Sequence, residues 1–162
     1  MRVKFKGVSK NEGKFIVVVL LLIGIFSYLN FQQSYVRARD VARKNDLKHI
    51  ATALNKYFYD FNQYPPSKNG KILACGSSDT PQECEWGMDG LKDLSDPTYP
   101  PYINFFPRDP QSGSRDYIYF SDTRNYQLFA SLESNKDAEY NEKIFAQKVK
   151  CGKHICNFGV SQ

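Results

Sequence analysis

The feature that most constrains this chain is a strongly apolar stretch near its start, KFIVVVLLLIGIFSYL at residues 14–29. After Lys14, no residue up to Val36 carries a charge. A helix needs about 20 apolar residues to cross the hydrocarbon core of a bilayer. The stretch therefore predicts one of three devices: a cleaved secretion signal, a membrane anchor, or the buried stalk of a fibre subunit.

The residues around the stretch favour an uncleaved helix. The segment before it is basic, with Glu12 as its one acidic residue, and this cluster explains much of the net charge of +5. Lysine and arginine flanks stay on the cytoplasmic side of a membrane, whereas a buried helix of a soluble domain would not need one. The run ends in IFSYLNFQQ, where large residues replace the small ones of a signal-peptidase site. We predict a cytoplasmic leader-like segment at 1–14, a membrane or stalk helix at 15–36, and an extracytoplasmic domain at 37–162.

All four cysteines lie in the predicted outer domain, where disulfides persist. Four cysteines allow three pairings. Loop closure favours the two local pairs, Cys75 with Cys84 and Cys151 with Cys156. The alternative is a metal site that uses His154 within CGKHIC, but these cysteine spacings are not those of zinc knuckles.

The apolar run leads into SYVRARDVARKNDLKHIATALNKYFYDFNQYPP, whose apolar residues recur three and four positions apart. This spacing predicts an amphipathic helix over 37–62 that continues the first one and ends before Pro65. Its apolar face is formed by Val36, Val41, Leu47, Ile50, Ala51, Leu54, Tyr57, Phe58 and Phe61. We interpret the charged residues between 37 and 48 as a solvated face, with a contact to phospholipid or to an acidic partner as the alternative.

The rest of the chain predicts a small sheet. Residues 63–115 are rich in turn-forming residues and predict a long loop, with one helical turn between Trp86 and Leu94. The sheet is predicted within 116–160: two alternating strands at 116–121 and 125–132, a third at 143–149 and a short edge at 157–160. A long helix packed on an antiparallel sheet is an α+β fold. The aromatic residues are then mostly core, and no nucleic-acid surface is predicted.

An enzyme is not predicted. The chain has two histidines and lacks a glycine-rich phosphate loop or a nucleophile elbow.

Several motifs together resemble a known family. They are the apolar helix that runs into ARDVARKNDLKHIATALNKYFYDFNQYPP, then FPRDP at 106–110, and then YIYF and YQLFASLES. In this order they resemble the stalk, the P-x-D-P motif and the aromatic strands of type IV pilin-like proteins. Within that group they are similar to the major pseudopilins of type II secretion systems. The resemblance covers most of the chain.

The resemblance implies a non-catalytic subunit that polymerises, with copies of itself or other pilin-like subunits, into a periplasmic or surface filament after release from the inner membrane. The helix residues expected to serve assembly and membrane contact are Phe15, Ile16, Val19, Leu22, Ile23 and Phe26. The family's leader ends in Gly followed by Phe or Met, and its fifth mature residue is Glu. Here the candidate processing site is Gly13-Lys14-Phe15, and the fifth position holds Val18 or Val19. The alternative is therefore an uncleaved, anchored binding domain that does not polymerise.

The resemblance also implies a candidate calcium-binding site in a loop after the last strands. Oxygen-bearing side chains stand at alternating positions in LESNKDAEY, namely Glu133, Asn135, Asp137 and Glu139. Calcium prefers such oxygen ligands. We favour a solvated acidic loop, because the sequence of this loop lacks the DG or GG pattern that usually accompanies the calcium site, and we expect no other cofactor.

Overall fold

The computed structural model describes residues 10–162; most of the predicted leader-like segment, residues 1–9, lies outside them. Helix α1 is Lys10–Phe61. The chain divides into two compact units, one ending at Ala38 and the other comprising Arg39–Gln162. The two halves of α1 therefore belong to different units.

Within the second unit, the predicted apolar face of α1 enters the core. Leu47, Ile50 and Leu54 are completely buried, and Tyr57 and Phe58 pack against the same cluster. The prediction that Val41 belongs to this face is wrong: Val41 is 50% exposed, because the buried row passes through Asp40 and Arg43 instead. The helix ends where Asn62 adopts a positive φ of 53°, a conformation common at helix ends.

The predicted long loop at 63–115 is wrong for its first third. Three short strands form an antiparallel sheet in the order β1-β2-β3: Ser67–Lys68, Lys71–Gly76 and Pro81–Glu83. In β2 the alternating Ile72 and Ala74 are buried. The alternation of buried and exposed residues extends over few positions and is flanked by Gly, Ser and Asp. The turn-rich composition of the segment therefore predicted a loop instead of a strand.

The predicted helical turn at 86–94 is also wrong in extent. Residues 86–88 form a hydrogen-bonded turn, but no helix follows. Leu91 instead pairs with Ile103 in an isolated antiparallel bridge. Trp86 and Leu91 nevertheless join the core, as their apolar character requires.

The main predicted strands are confirmed. Strands β4, Ile118–Ser121, and β5, Tyr126–Ala130, pair antiparallel across a turn at 122–125. On its other edge β5 pairs with the last strand of the chain, Phe158–Ser161. This sheet and the residue before it contribute buried side chains to the cluster that contains Leu47 and Ile50, namely Tyr117, Tyr119, Tyr126 and Leu128. The α+β prediction is therefore confirmed, with sheets packed on the buried face of α1.

The strand predicted at Lys143–Val149 is wrong. Helix α2, Glu142–Ala146, occupies most of this segment because Asn141 caps it: the Asn141 side chain accepts hydrogen bonds from the backbone N–H groups of Lys143 and Ile144. An asparagine cap overrides weak alternation in so short a segment. Two short strands follow, β6 at Lys150–Cys151 and β7 at His154–Ile155, so that the final strand Phe158–Ser161 is β8.

Candidate assembly helix and ion-pair cluster

The first unit presents the predicted assembly residues at its surface. Phe15, Leu22, Ile23 and Phe26 are each at least half exposed, Ile16 is 47% exposed, and Val19 is partly covered. By length and composition α1 is able to cross a membrane, although a signal sequence would meet the same criterion. An apolar surface of this extent marks a contact with lipid or protein.

The candidate processing site lies inside α1. The helix begins at Lys10, so the peptide bond between Gly13 and Lys14 belongs to its first turns. A peptidase needs an extended substrate, and therefore cleavage here requires local unwinding. Gly13 makes unwinding easier because glycine is a poor helix former.

The solvated face predicted over 37–48 is wrong for Asp40 and Arg43, whereas Arg37 and Lys48 are exposed as expected. Asp40 is 1% exposed and Arg43 is completely buried. They lie on the row Val36, Asp40, Arg43, Leu47, Ile50, Leu54, which has helical spacing throughout. That helical spacing is the one feature of the sequence that indicates their burial. Because both residues are charged, the sequence predicts them on the solvated face instead.

Arg43 is the centre of a buried ion-pair cluster. Its Nε and Nη2 donate to the two carboxylate oxygens of Asp109 at 2.8 and 3.0 Å. Its Nη1 donates to Asp40 and to Glu133, both at 2.8 Å. Asp109 is itself 3% exposed. Buried charges of this kind are tolerated only when they are paired and hydrogen-bonded.

Two further cations of α1 hold the segment after β5. Arg39 forms a two-pronged pair with Glu133, with both N–O distances 2.6 Å. Lys44 contacts both oxygens of Asp137, at 3.0 and 3.1 Å, and lies 3.4 Å from Glu139. The loop residues named as candidate calcium ligands are therefore partners of the helix, apart from Asn135, which is exposed.

These contacts shift the titration of the acidic groups. Burial disfavours the charged form of Glu133, but hydrogen bonds from Arg39 and Arg43 outweigh it and lower its pKa to about 2. The pKa of Asp137 is lowered by the backbone N–H of Glu139 and by Lys44. Both groups are anionic at neutral pH, as a charge cluster requires.

A second buried polar contact lies further along α1. The Tyr117 hydroxyl donates to Asp46 at 2.6 Å. Burial raises the pKa of Asp46, and the hydrogen bond from Tyr117 opposes that change. This pair anchors the strand β4 region to the helix.

The predicted local disulfides are confirmed. Cys75 bonds to Cys84 and Cys151 bonds to Cys156. The first links β2 to the residue after β3, and the second closes the β6–β7 hairpin. The zinc alternative is wrong because both sulfurs of CGKHIC are consumed in a disulfide, while His154 lies 3.2 Å from the Ser114 hydroxyl.

A comparison with curated proteins found a relative of the chain. Over 107 aligned residues the chain is 37% identical to the type II secretion system core protein G of Pseudomonas aeruginosa. The alignment covers 64% of this chain and 68% of the relative. The chain belongs to the core protein G family, the major pseudopilins. The pseudopilin family is one of structural proteins, so the expectation of a non-enzymatic role agrees with this relationship. No protein-family model matches the chain, and no solved structure matches it significantly.

Proposed function

We propose that this pseudopilin is a structural subunit of a type II secretion filament and that it assembles through the first part of α1. The observation that carries the proposal is the exposure of large apolar side chains along that segment, such as Phe15 at 71% and Phe26 at 65%. Lipid covers them before assembly, and the helices of neighbouring pilin-like subunits cover them afterwards. Burial of a large side chain of this kind contributes about 1.5–3 kcal/mol.

The basic flank and the disulfides support the orientation. The flank keeps the N-terminus in the cytoplasm, and the disulfides belong to an oxidising compartment outside it. The subunit is thus proposed to be a single-pass protein of the inner membrane, whose domain from residue 37 onward is extracytoplasmic. The assembly machinery extracts it from there into a periplasmic or surface filament.

In this chain, packing between apolar helix side chains is proposed to replace the contact that the family makes through a glutamate at the fifth mature position. The fifth position after either candidate cut holds Val18 or Val19. Neighbouring subunits are therefore proposed to register through Ile16, Leu22, Ile23 and Phe26, and through the small residue Gly24, which permits close approach of helices.

The deciding measurement is the intact mass and N-terminal sequence of the protein purified from its own membranes. A chain that starts at Lys14 or Phe15 supports processing and the filament proposal. A chain that retains the leader, and that elutes as a monomer from detergent, supports the second candidate, a permanently anchored domain that binds a partner without polymerising.

A variant pair separates helix packing from general damage. Phe26→Ala keeps the segment apolar enough for membrane insertion but removes a large contact, so we expect less protein in sheared, pelleted filaments. Tyr59→Ala is the control, since Tyr59 is an 89% exposed aromatic residue of the second unit. Equal filament yields from Phe26→Ala and wild type, at equal membrane levels, would contradict assembly through this face.

A further inference from the structure

The loop after β5 carries the residues that the family resemblance offers to calcium, so their oxygen atoms decide whether a metal fits. Both Glu133 oxygens accept hydrogen bonds from Arg39, and one also accepts from Arg43. Both Asp137 oxygens accept from Lys44, and one also accepts from the Glu139 backbone N–H. The strongest acceptors of the loop therefore already have cationic donors.

The loop backbone is also fixed from the helix. Asp40, buried on α1, accepts hydrogen bonds from the backbone N–H groups of Glu133 and Ser134 at 2.8 and 2.9 Å. The same carboxylate is neutralised by Arg43 at 2.8 Å. One helix carboxylate thus orients two consecutive loop amides, and this anchoring uses no metal.

A calcium ion needs six to eight oxygen ligands at 2.3–2.6 Å. Across residues 10–162, no three His, Cys, Asp or Glu side chains converge as a metal site requires. An ion placed between Asp137 and Glu139 would meet the ammonium group of Lys44, which lies within 3.4 Å of both. Like charges at such distances repel strongly where water is partly excluded. The residues present do not fit a calcium ion.

We propose that Arg39, Arg43 and Lys44 take the place of a divalent cation in holding the loop at 133–139. The domain then folds and keeps this loop ordered without calcium, and chelators leave it intact. This inference concerns the folded subunit alone, so it stands or fails separately from the proposed filament.

The first test compares thermal unfolding of the full chain in non-ionic detergent with EGTA, with 1 mM CaCl2 and with 1 mM MgCl2. We expect the three unfolding midpoints to agree within about 1 °C. A calcium site with a dissociation constant of about 10 μM would raise the midpoint by roughly 5–10 °C at this concentration. Such a rise in calcium but not in magnesium would overturn the proposal.

The second test asks whether the cationic side chains of α1 keep the loop at 133–139 ordered. Lys44→Met removes the Asp137 partner, whereas Lys48→Met, one helical turn further on at an exposed position, is the matched control. In EGTA we expect amide hydrogen exchange at 133–139 to be at least about tenfold faster in Lys44→Met and unchanged in Lys48→Met. Unchanged exchange in Lys44→Met, or slower wild-type exchange upon addition of calcium, refutes the proposal.

Discussion

Replacement of Arg43 by methionine is the sharpest test of the buried ion-pair cluster. Methionine fits the space of the aliphatic stem but removes the hydrogen bonds that the guanidinium donates to Asp40, Asp109 and Glu133. Asp40 and Asp109 are 1% and 3% exposed. In the variant both carboxylates would stay buried without the guanidinium that compensates their charge. The free energy of unfolding should therefore fall sharply.

The magnitude follows from the burial of the partners. Removal of one member of a buried ion pair costs about 3–5 kcal/mol, because the other charge stays buried without compensation. A domain of ordinary stability has about 5–15 kcal/mol in total. Arg43→Met should therefore remove between about a fifth and all of the stability of the second unit.

The assay is urea unfolding of the full chain in non-ionic detergent, followed by the fluorescence of Trp86, a buried residue of the domain core. Arg37→Met is the control, since Arg37 is an exposed residue of the same helix, and we expect it to change stability by less than about 0.5 kcal/mol. Arg43→Lys should lie between them, because lysine keeps the charge but cannot form the two-pronged pair with Asp109.

A double variant tests whether the cost arises from the uncompensated charge. Arg43→Met combined with Asp109→Asn should be less destabilised than the sum of the two single variants, because the second change removes one orphaned carboxylate. If Arg43→Met costs less than about 1 kcal/mol, or if the two effects add, the pairing of Arg43 with Asp109 does not account for the stability of the domain.

Three further predictions concern other parts of the domain. Because the pKa of Glu133 is lowered to about 2 in the folded state, its stabilisation is complete above about pH 5 and is lost as pH falls toward 2, by up to about 3 kcal/mol; Glu133→Gln should flatten the acid limb of a stability–pH curve. Joint replacement of Cys75 and Cys84 by alanine should cost about 2–3 kcal/mol in urea unfolding, from the entropy of a loop with a sequence separation of 9, and an unchanged midpoint would show that the strands alone hold this hairpin. Gly90→Ala should destabilise by more than about 2 kcal/mol, because the new methyl group would lie 2.2 Å from the backbone oxygen of Asn104; a wild-type melting temperature would mean that this backbone shifts easily.

The sequence was a sound guide wherever the structural signal is local. The apolar run and the three-and-four spacing from Leu47 to Leu54 predicted α1, and strict alternation predicted β4 and β5. The two local disulfides followed from short loop closure. Local signals failed where they competed, as at residues 143–149, where the cap formed by Asn141 mattered more than the alternation that suggested a strand.

The ion-pair cluster shows what the sequence by itself did not determine. The partners of Arg43 lie 66 residues away, at Asp109, and 90 residues away, at Glu133. A charged side chain in an apolar row is read as solvated unless its counter-charge is known to be near, and nearness across such a separation exists only after the chain has folded. The sequence thus determined a helix with one apolar face and the strands of the main sheet, and it favoured the two local disulfides. Tertiary packing decided that a charged pair on that helix would be buried and would hold the loop, because only the folded chain brings the compensating charges within hydrogen-bonding distance.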